Sequence, residues 1–428
     1  MVNVALPSIQ RDLGGGLAAQ QWIVDAYLLT LGSLILVGGS LGDIFGERRI
    51  FALGVGGFGA ASVVCALAPS STFLIAARGV QGIAGALLTP SSLAVIVTTF
   101  PEEDERGAAI GTWTAWSGIA GVLGPLVGGE LLAIASWRWI FLVNVPLAAL
   151  TLALVLTSVP ARSRDLRARV DVVGAGLCVG GLGSLVFGLI EQHRYGWSSP
   201  AIWGTLAAGL VLLPAFVVWE RRTRAPMLPL RLFRRRNFSV TNLETFAVYA
   251  GLSTLTFFLT LFLQELAGYS PLRAGLSLLP VTIVMFLFSR RVGRLAGRFG
   301  PRLFMGLGPA IAGISLLFLV RLHSGFSYAT ELLPPLLGFS VGLTLTVAPL
   351  TATVLADAGE RDAGIASGVN NAVARVAGLL GIALVGLAVT GSANNLNLHG
   401  FRLAMLVTGA LVIAGGAVGA AGIVNPRR

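Results

Sequence analysis

The sequence predicts an all-α polytopic membrane protein, and three observations carry that reading: scarce charge, thirteen long apolar runs, and arginines gathered on alternate inter-run segments. Apolar side chains make up 55% of the 428 residues and charged ones 11%, against about 25% charged in a soluble domain. At a mean hydropathy of +0.83, so few charges leave lipid as the solvent for most of the exterior. A helix needs roughly 20 apolar residues to cross the hydrocarbon. Runs of that kind lie near 21–41, 50–69, 73–99, 107–132, 139–159, 171–190, 200–219, 238–263, 272–289, 303–320, 330–355, 363–390 and 401–424. Before them, Val2 to Ile9 is apolar but too short to span and reads as the tail of a helix.

The net charge of +11 comes with no Lys, so every basic residue is Arg. Such a charge can mark a nucleic-acid binder, but its placement excludes that class. When inter-run segments are assigned alternately to two sides, only Arg11, Arg138, Arg194, Arg273, Arg321 and Arg402 fall on one side. Arg78 and Arg375 fall within runs, and all the others crowd the opposite side, which the positive-inside rule makes cytosolic. That places the C-terminus in the cytosol and the chain, multi-pass, in the plasma (inner) membrane. Trp22, Trp137, Trp139, Trp197, Trp203 and Trp219 sit near run ends, where amphipathic rings favour the headgroup layer. Cys65 and Cys178 lie inside apolar runs and read as packing residues.

An internal repeat appears when GSLGDIFGER (39–48) is laid on GRLAGRFGPR (293–302), with Gly, Leu, Phe, Gly and Arg shared at matching positions. Two related halves are one plan of secondary transporters, with the substrate site between them near the bilayer midplane. The expected organisation is a first bundle over 1–160, two extra central spans over 161–220, an Arg-rich cytosolic loop over 221–237, and a second bundle over 238–428. Gly54, Gly56 and Gly59 satisfy GxGxxG, but they lie inside a span, without the strand and opening helix that a dinucleotide fingerprint needs. His193, His323 and His399 stand singly in outer segments and make no metal cluster. No nucleophile, base or metal constellation of an enzyme can be assembled.

Four motifs follow one another along the chain: GSLGDIFGERR (39–49), LIAARGVQGIAGA (74–86), GTWTAWSGIAGVLGPLVGG (111–129) and WRWIFLVNVP (137–146). In that order they resemble the loop between helices two and three, the helix-four motif, the antiporter motif of helix five and the entry to helix six of the major facilitator superfamily. The resemblance is specifically to its 14-helix drug/proton antiporter branch, with two six-helix halves and two extra central helices. The sequence departs from the pattern at Ile44 and Glu47, where the family is usually basic, at Ala120, where it prefers Gly, and at Gly297, which replaces an acid in the second copy. The resemblance also implies a chain that begins within the family's first helix, with a start expected upstream.

The candidate residues follow from the residues and the resemblance together. Asp25 is the lone charge of its span, and Arg78 is costly within an apolar run unless it faces a cavity or a partner. The resemblance links Arg78 to proton coupling, through its charge acting on a nearby carboxylate, while Asp25, buried in its span, reads on its own as a group that could exchange a proton for a cationic substrate. Asp43 reads as lying just before a helix start, where a carboxylate meets free N–H groups. With Gly39, Gly46, Arg48 and Arg49 it forms the expected cytosolic gate. Gly111, Gly121, Gly124, Pro125, Gly128 and Gly129 would form the antiporter motif, smooth enough for a close and moving helix contact. Trp113, Trp116, Glu130, Glu244 and Arg375 are candidates for lining a substrate cavity, the two glutamates ranking below Asp25 because they lie nearer span ends.

These features lead to an expected proton-coupled exporter of small amphipathic or cationic compounds, not an enzyme, working by alternating access as a monomer. Its partners would be a small-molecule substrate, protons and the lipid bilayer, with no nucleic acid. The proton gradient would drive it, with no cofactor and no metal. An importer of the same fold and a non-transporting membrane sensor or assembly protein are the alternatives.

Overall fold

The computed structural model describes residues 1–100, 102–159, 170–358, 362–389 and 396–425, with side chains between 103 and 122 described at 105, 109, 112, 113, 116 and 120. Helices occupy every apolar run. They are α1 (Val2–Leu13), α2 (Gly16–Phe45), α3 (Glu47–Ala66), α4 (Ser71–Thr99), α5 (Glu103–Ile134), α6 (Trp139–Leu142), α7 (Asn144–Ser158), α8 (Val172–Tyr195) and α9 (Pro200–Arg222). After a short 3₁₀ turn at Leu230–Arg234 come α10 (Arg236–Leu261), α11 (Pro271–Ser277), α12 (Leu279–Phe299), α13 (Pro301–Phe318), α14 (Leu333–Ala358), α15 (Ala363–Val389) and α16 (Leu398–Gly422). Among the described residues, 12 stretches are long and apolar enough to cross a membrane, and α5 adds a helix of 32 residues. One boundary differs markedly from the sequence reading. Arg290, Arg291, Arg294 and Arg298 belong to the last turns of α12 rather than to a loop, because backbone that leaves the hydrocarbon still favours helix when its residues are good helix formers.

Helix starts follow local chemistry. Ser70, Ser270 and Asn397 cap α4, α11 and α16 by accepting from the backbone N–H of Phe73, Arg273 and Gly400. Pro200, Pro271 and Pro301 stand in the first turn of their helices, where no N–H is needed. At the C-terminal end of α2, Gly46 takes φ 92°, ψ 132°, and at the end of α12 Gly300 takes φ 88°, ψ 148°. Their N–H groups donate to the carbonyls of Gly42 at 2.9 Å and Ala296 at 2.8 Å. Only glycine adopts that backbone freely. These two glycines occupy the same place in the sequence repeat, so the repeat is a repeated helix–turn–helix.

The chain forms two compact units, one of residues 8–120 and 134–229, the other of residues 1–7, 121–133 and 230–428. In the first, α4 packs on α2 and α3, α3 on α7, and α8 on both α9 and α2. In the second, α14 packs on α12 and α13, α13 on α16, and α10 on α15 and α16. The segments 1–7 and 121–133 therefore group with the later helices, where the sequence reading had assigned all of 1–160 to one bundle.

Small residues set the spacing within each unit, since lipid supplies no hydrophobic drive between helices and close van der Waals packing must hold them. A Cβ at Gly38 would overlap the Ala86 carbonyl, and one at Gly54 would lie 2.8 Å from the Leu88 nitrogen. The glycines of the GxGxxG pattern are thus packing residues, Gly59 doing the same against Ala148. Between α13 and α14 the approach is reciprocal: a Cβ at Gly342 would stand 2.5 Å from the Ala312 nitrogen, and one at Gly308 2.8 Å from the Gly342 carbonyl. The central hairpin of α8 and α9 is fastened by acids. Asp171 caps α8 at the Gly174 N–H and accepts from the Trp219 indole. Glu220 accepts from the Leu228 N–H, and Ala175, Phe216 and Met227 pack there against Leu34 and Val37 of α2.

Replacing Gly342 by Ala puts a methyl into backbone that cannot retreat, with an expected loss of about 1–3 kcal/mol in detergent-solubilised unfolding. Gly297→Ala, inside α12 where nothing lies within 4 Å of the added carbon, should hold the midpoint or raise it slightly, since alanine is the better helix former.

Candidate functional site

Arg78 is the centre of a buried polar network, on α4 and only 6% exposed. Its Nε donates to the Ile23 carbonyl at 2.9 Å and its Nη1 to Gln81 Oε1 at 2.6 Å. Its guanidinium carbon lies 4.2 Å from the centroid of the Tyr27 ring, a distance at which a cation is attracted to the ring face. Gln81 in turn donates to the Ser62 hydroxyl at 2.8 Å. Arg78 therefore meets a carbonyl, an amide and a ring, and among the described residues no carboxylate. Sequence reasoning missed Gln81, Tyr27 and Ser62. The signal for Gln81 was available, since it stands three residues after Arg78, on the same helix face.

Asp25 lies two residues beyond Ile23 on α2, so the network reaches its helix but not its side chain. It is 0% exposed, and neither carboxyl oxygen has a hydrogen-bond partner among the described residues. Glu244 shares both properties: it is 0% exposed with both oxygens unpartnered. It is enclosed between α10 and α16, where a Cβ at Gly419 would lie 2.3 Å from its Oε2. Its burial equals that of Asp25, so its lower rank by distance from a span end does not hold. Glu130 and Arg375 are exposed. Trp113 and Trp116 are also exposed.

At the expected gate, Asp43 is in the last turn of α2 and not at a helix start, since the turn falls at Gly46 and α3 begins at Glu47. It is exposed and makes no hydrogen bond or ion pair among the described residues. Arg48 does not pair with it. Its Nη2 donates to the Leu156 carbonyl, 2.5 Å away, at the C-terminal end of α7. In the second copy Arg302 donates from Nε to the Ala420 carbonyl, 2.6 Å away, at the C-terminal end of α16. Helix ends present free carbonyls and partial negative charge, which an arginine satisfies. Each copy of the repeat thus fastens its turn to the C-terminal end of a later helix in its own unit. Gly39 lies against Pro90 of α4, and Arg49 is exposed.

In the α5 motif, Gly111 and Gly121 lie outside the described residues. The rest makes a close backbone contact with α11: a Cβ at Gly129 would stand 2.6 Å from Leu272 Cα, and one at Gly275 2.7 Å from the Pro125 carbonyl. Gly128 lies against Met1, and Gly124 is 3.8 Å from it by the same measure. A second cluster went unread in the sequence. Asp12, at the end of α1, accepts from the Trp137 indole at 2.8 Å and pairs with Arg138 at 2.7 Å. Trp137 is consequently buried, at 4% exposure, rather than lying free in the headgroup layer.

Helices of membrane-spanning length in two internally repeated sets, with charged groups sealed among them, define a polytopic transporter of small molecules and not an enzyme. The chain matches the Major Facilitator Superfamily over residues 1–382 and belongs to that family. A puromycin resistance protein of Streptomyces alboniger is 39% identical over 96% of this chain and 82% of its own length. A methylenomycin A resistance protein of Bacillus subtilis is 35% identical, over 95% and 87%. A cephamycin export protein of Amycolatopsis lactamdurans is 37% identical, over 92% and 81%. Among solved structures, a POT peptide transporter in complex with sulfate superposes with a TM-score of 0.72 over 98% of this chain and 90% of that one. Its 14% identity makes that a likeness of fold alone.

Gln81→Leu leaves the buried guanidinium short of one acceptor. The expected loss is about 1.5–3 kcal/mol, read as a lowered unfolding midpoint in detergent, with membrane insertion retained.

Proposed function

We propose that this chain is a proton-coupled exporter of small amphipathic or cationic compounds, a drug/proton antiporter of the plasma membrane that works by alternating access. The observation that carries the reading is Asp25, sealed on a spanning helix with both carboxyl oxygens unpartnered among the described residues. An ionisable group inside the membrane is expensive to keep, and its usual place is a proton or substrate path. With no fixed partner, the carboxyl can take and give up a proton as water reaches it from one side or the other. The proton gradient is then the energy source, and no cofactor is required. Relatives named for antibiotic resistance and export support the outward direction and the substrate class.

In this reading Arg78 holds the carbonyl of Ile23, and with it the turn of α2 that carries Asp25, so it positions the coupling carboxyl rather than pairing with it. The backbone contact of α5 on α11 is the sliding surface, because Gly129 and Gly275 let backbone meet backbone there with little side chain to unlock. Arg48 is the cytosolic clasp. The C-terminus lies in the cytosol, and the protein acts as a monomer.

The test is efflux of a fluorescent lipophilic cation from cells expressing the chain, with and without a protonophore. Efflux that the protonophore stops, and that Asp25→Asn reduces to the protonophore-treated level at equal membrane abundance, is the expected result. Protonophore-insensitive efflux in the parent chain would remove proton coupling. Uptake in place of efflux in oriented vesicles would make the protein an importer.

A further inference from the structure

Within the unit formed by the later helices, α13 and α16 enclose a groove of about 490 Å³. Its floor is set by small residues at helical spacing, Gly306 and Ala310 on α13 facing Gly416 and Ala420 on α16. The two backbones almost touch there: a Cβ at Gly306 would lie 2.9 Å from that of Ala420, and one at Gly416 2.8 Å from the Gly306 carbonyl. The shoulders are larger, with Leu303, Leu307 and Ile413 standing beside the floor. Small residues below and branched ones above produce an apolar trough along two spanning helices, a shape that a lipid acyl chain fills.

One end of the trough differs from the rest. Arg302 and Asn425 close it, at the Arg-rich end of both helices. The Nε of Arg302 is committed to the Ala420 carbonyl at 2.6 Å, and its backbone N–H donates to Asn425 Oδ1 at 3.1 Å. Its two terminal nitrogens make no hydrogen bond or ion pair among the described residues, and no Asp or Glu lines the groove. The guanidinium therefore stands directly at the mouth of an apolar trough, with no ion pair among the described residues.

We propose that this groove is a binding site for an anionic phospholipid of the cytosolic leaflet, the headgroup phosphate on Arg302 and an acyl chain along α13 and α16. Basic pockets between spanning helices on the cytosolic side recognise such headgroups, and the guanidinium fork matches a phosphate better than an ammonium does. The bound lipid would bear on the arginine that fastens the second repeat, so lipid composition would act on that clasp. The proposal stands apart from the transport reading, since neither the groove nor its arginine belongs to the proton or substrate path.

The experiment is native mass spectrometry of the purified full-length chain titrated with phosphatidylglycerol or phosphatidylcholine. The unaltered chain should retain phosphatidylglycerol about fivefold better. Arg302→Gln should abolish that preference, and Arg302→Lys should keep most of it. Ala417→Phe, which fills the exposed side of the groove without touching the arginine, should lower retention of both lipids. Equal retention of the two lipids by the unaltered chain, or an unchanged preference in Arg302→Gln, overturns the proposal. If Arg302→Gln does not fold, undiminished phosphatidylglycerol retention by Ala417→Phe overturns it instead. A dimeric mass that Ala417→Phe converts to monomer also overturns it, since a second copy would then be the occupant.

Discussion

Lipid offers no partner for a backbone N–H or C=O, and this constraint governs the rest of the structure. Each crossing must satisfy its own hydrogen bonds as helix, and helices so formed gain little from burying apolar surface against one another, because the surrounding solvent is apolar too. What remains is contact distance. The glycines at 38, 54, 308, 342 and 409 all stand where a single added carbon would meet neighbouring backbone or a side-chain stem. A composition with 56 glycines, poor for a soluble helical protein, is what a lipid-embedded one needs.

The same solvent makes every buried polar group conspicuous. Arg78 is tolerated because a carbonyl, an amide and an aromatic face divide its charge, and Gln81 passes the bonding on to Ser62. Asp25 and Glu244 have no such arrangement among the described residues. The contrast separates two uses of buried charge. A satisfied guanidinium holds two helices in register, whereas an unsatisfied carboxyl is stable only if something arrives to meet it. On the reading proposed above, that arrival is a proton at Asp25.

The internal repeat acquires a physical meaning from its last residue. Arg48 and Arg302 occupy matching places in the two copies, and each reaches the carbonyl end of a later helix in its own unit. Gly46 and Gly300 supply the turn that makes the reach possible, with nearly the same backbone angles. The acid of the first copy has become Gly297 in the second, yet the arginine contact is preserved. The clasp therefore does not depend on the acid. Asp43 makes no hydrogen bond or ion pair among the described residues.

Fold class and crossings followed from the sequence alone, because both rest on a local property: twenty apolar residues make a span. The repeat was legible for the same reason, being a pattern of residue identity. What the sequence left undecided is which polar groups meet. The sequence places Asp43 just before a helix start, and only the folded chain puts the break at Gly46 and sends Arg48 to Leu156. Asp12, Trp137 and Arg138 come together although more than a hundred residues separate Asp12 from the other two. Glu244 looked peripheral along the chain and is sealed in three dimensions, since depth in a helix bundle is set by neighbouring helices and not by distance from a span end. Solvent preference is written residue by residue; partnership is decided only when helices distant in sequence pack.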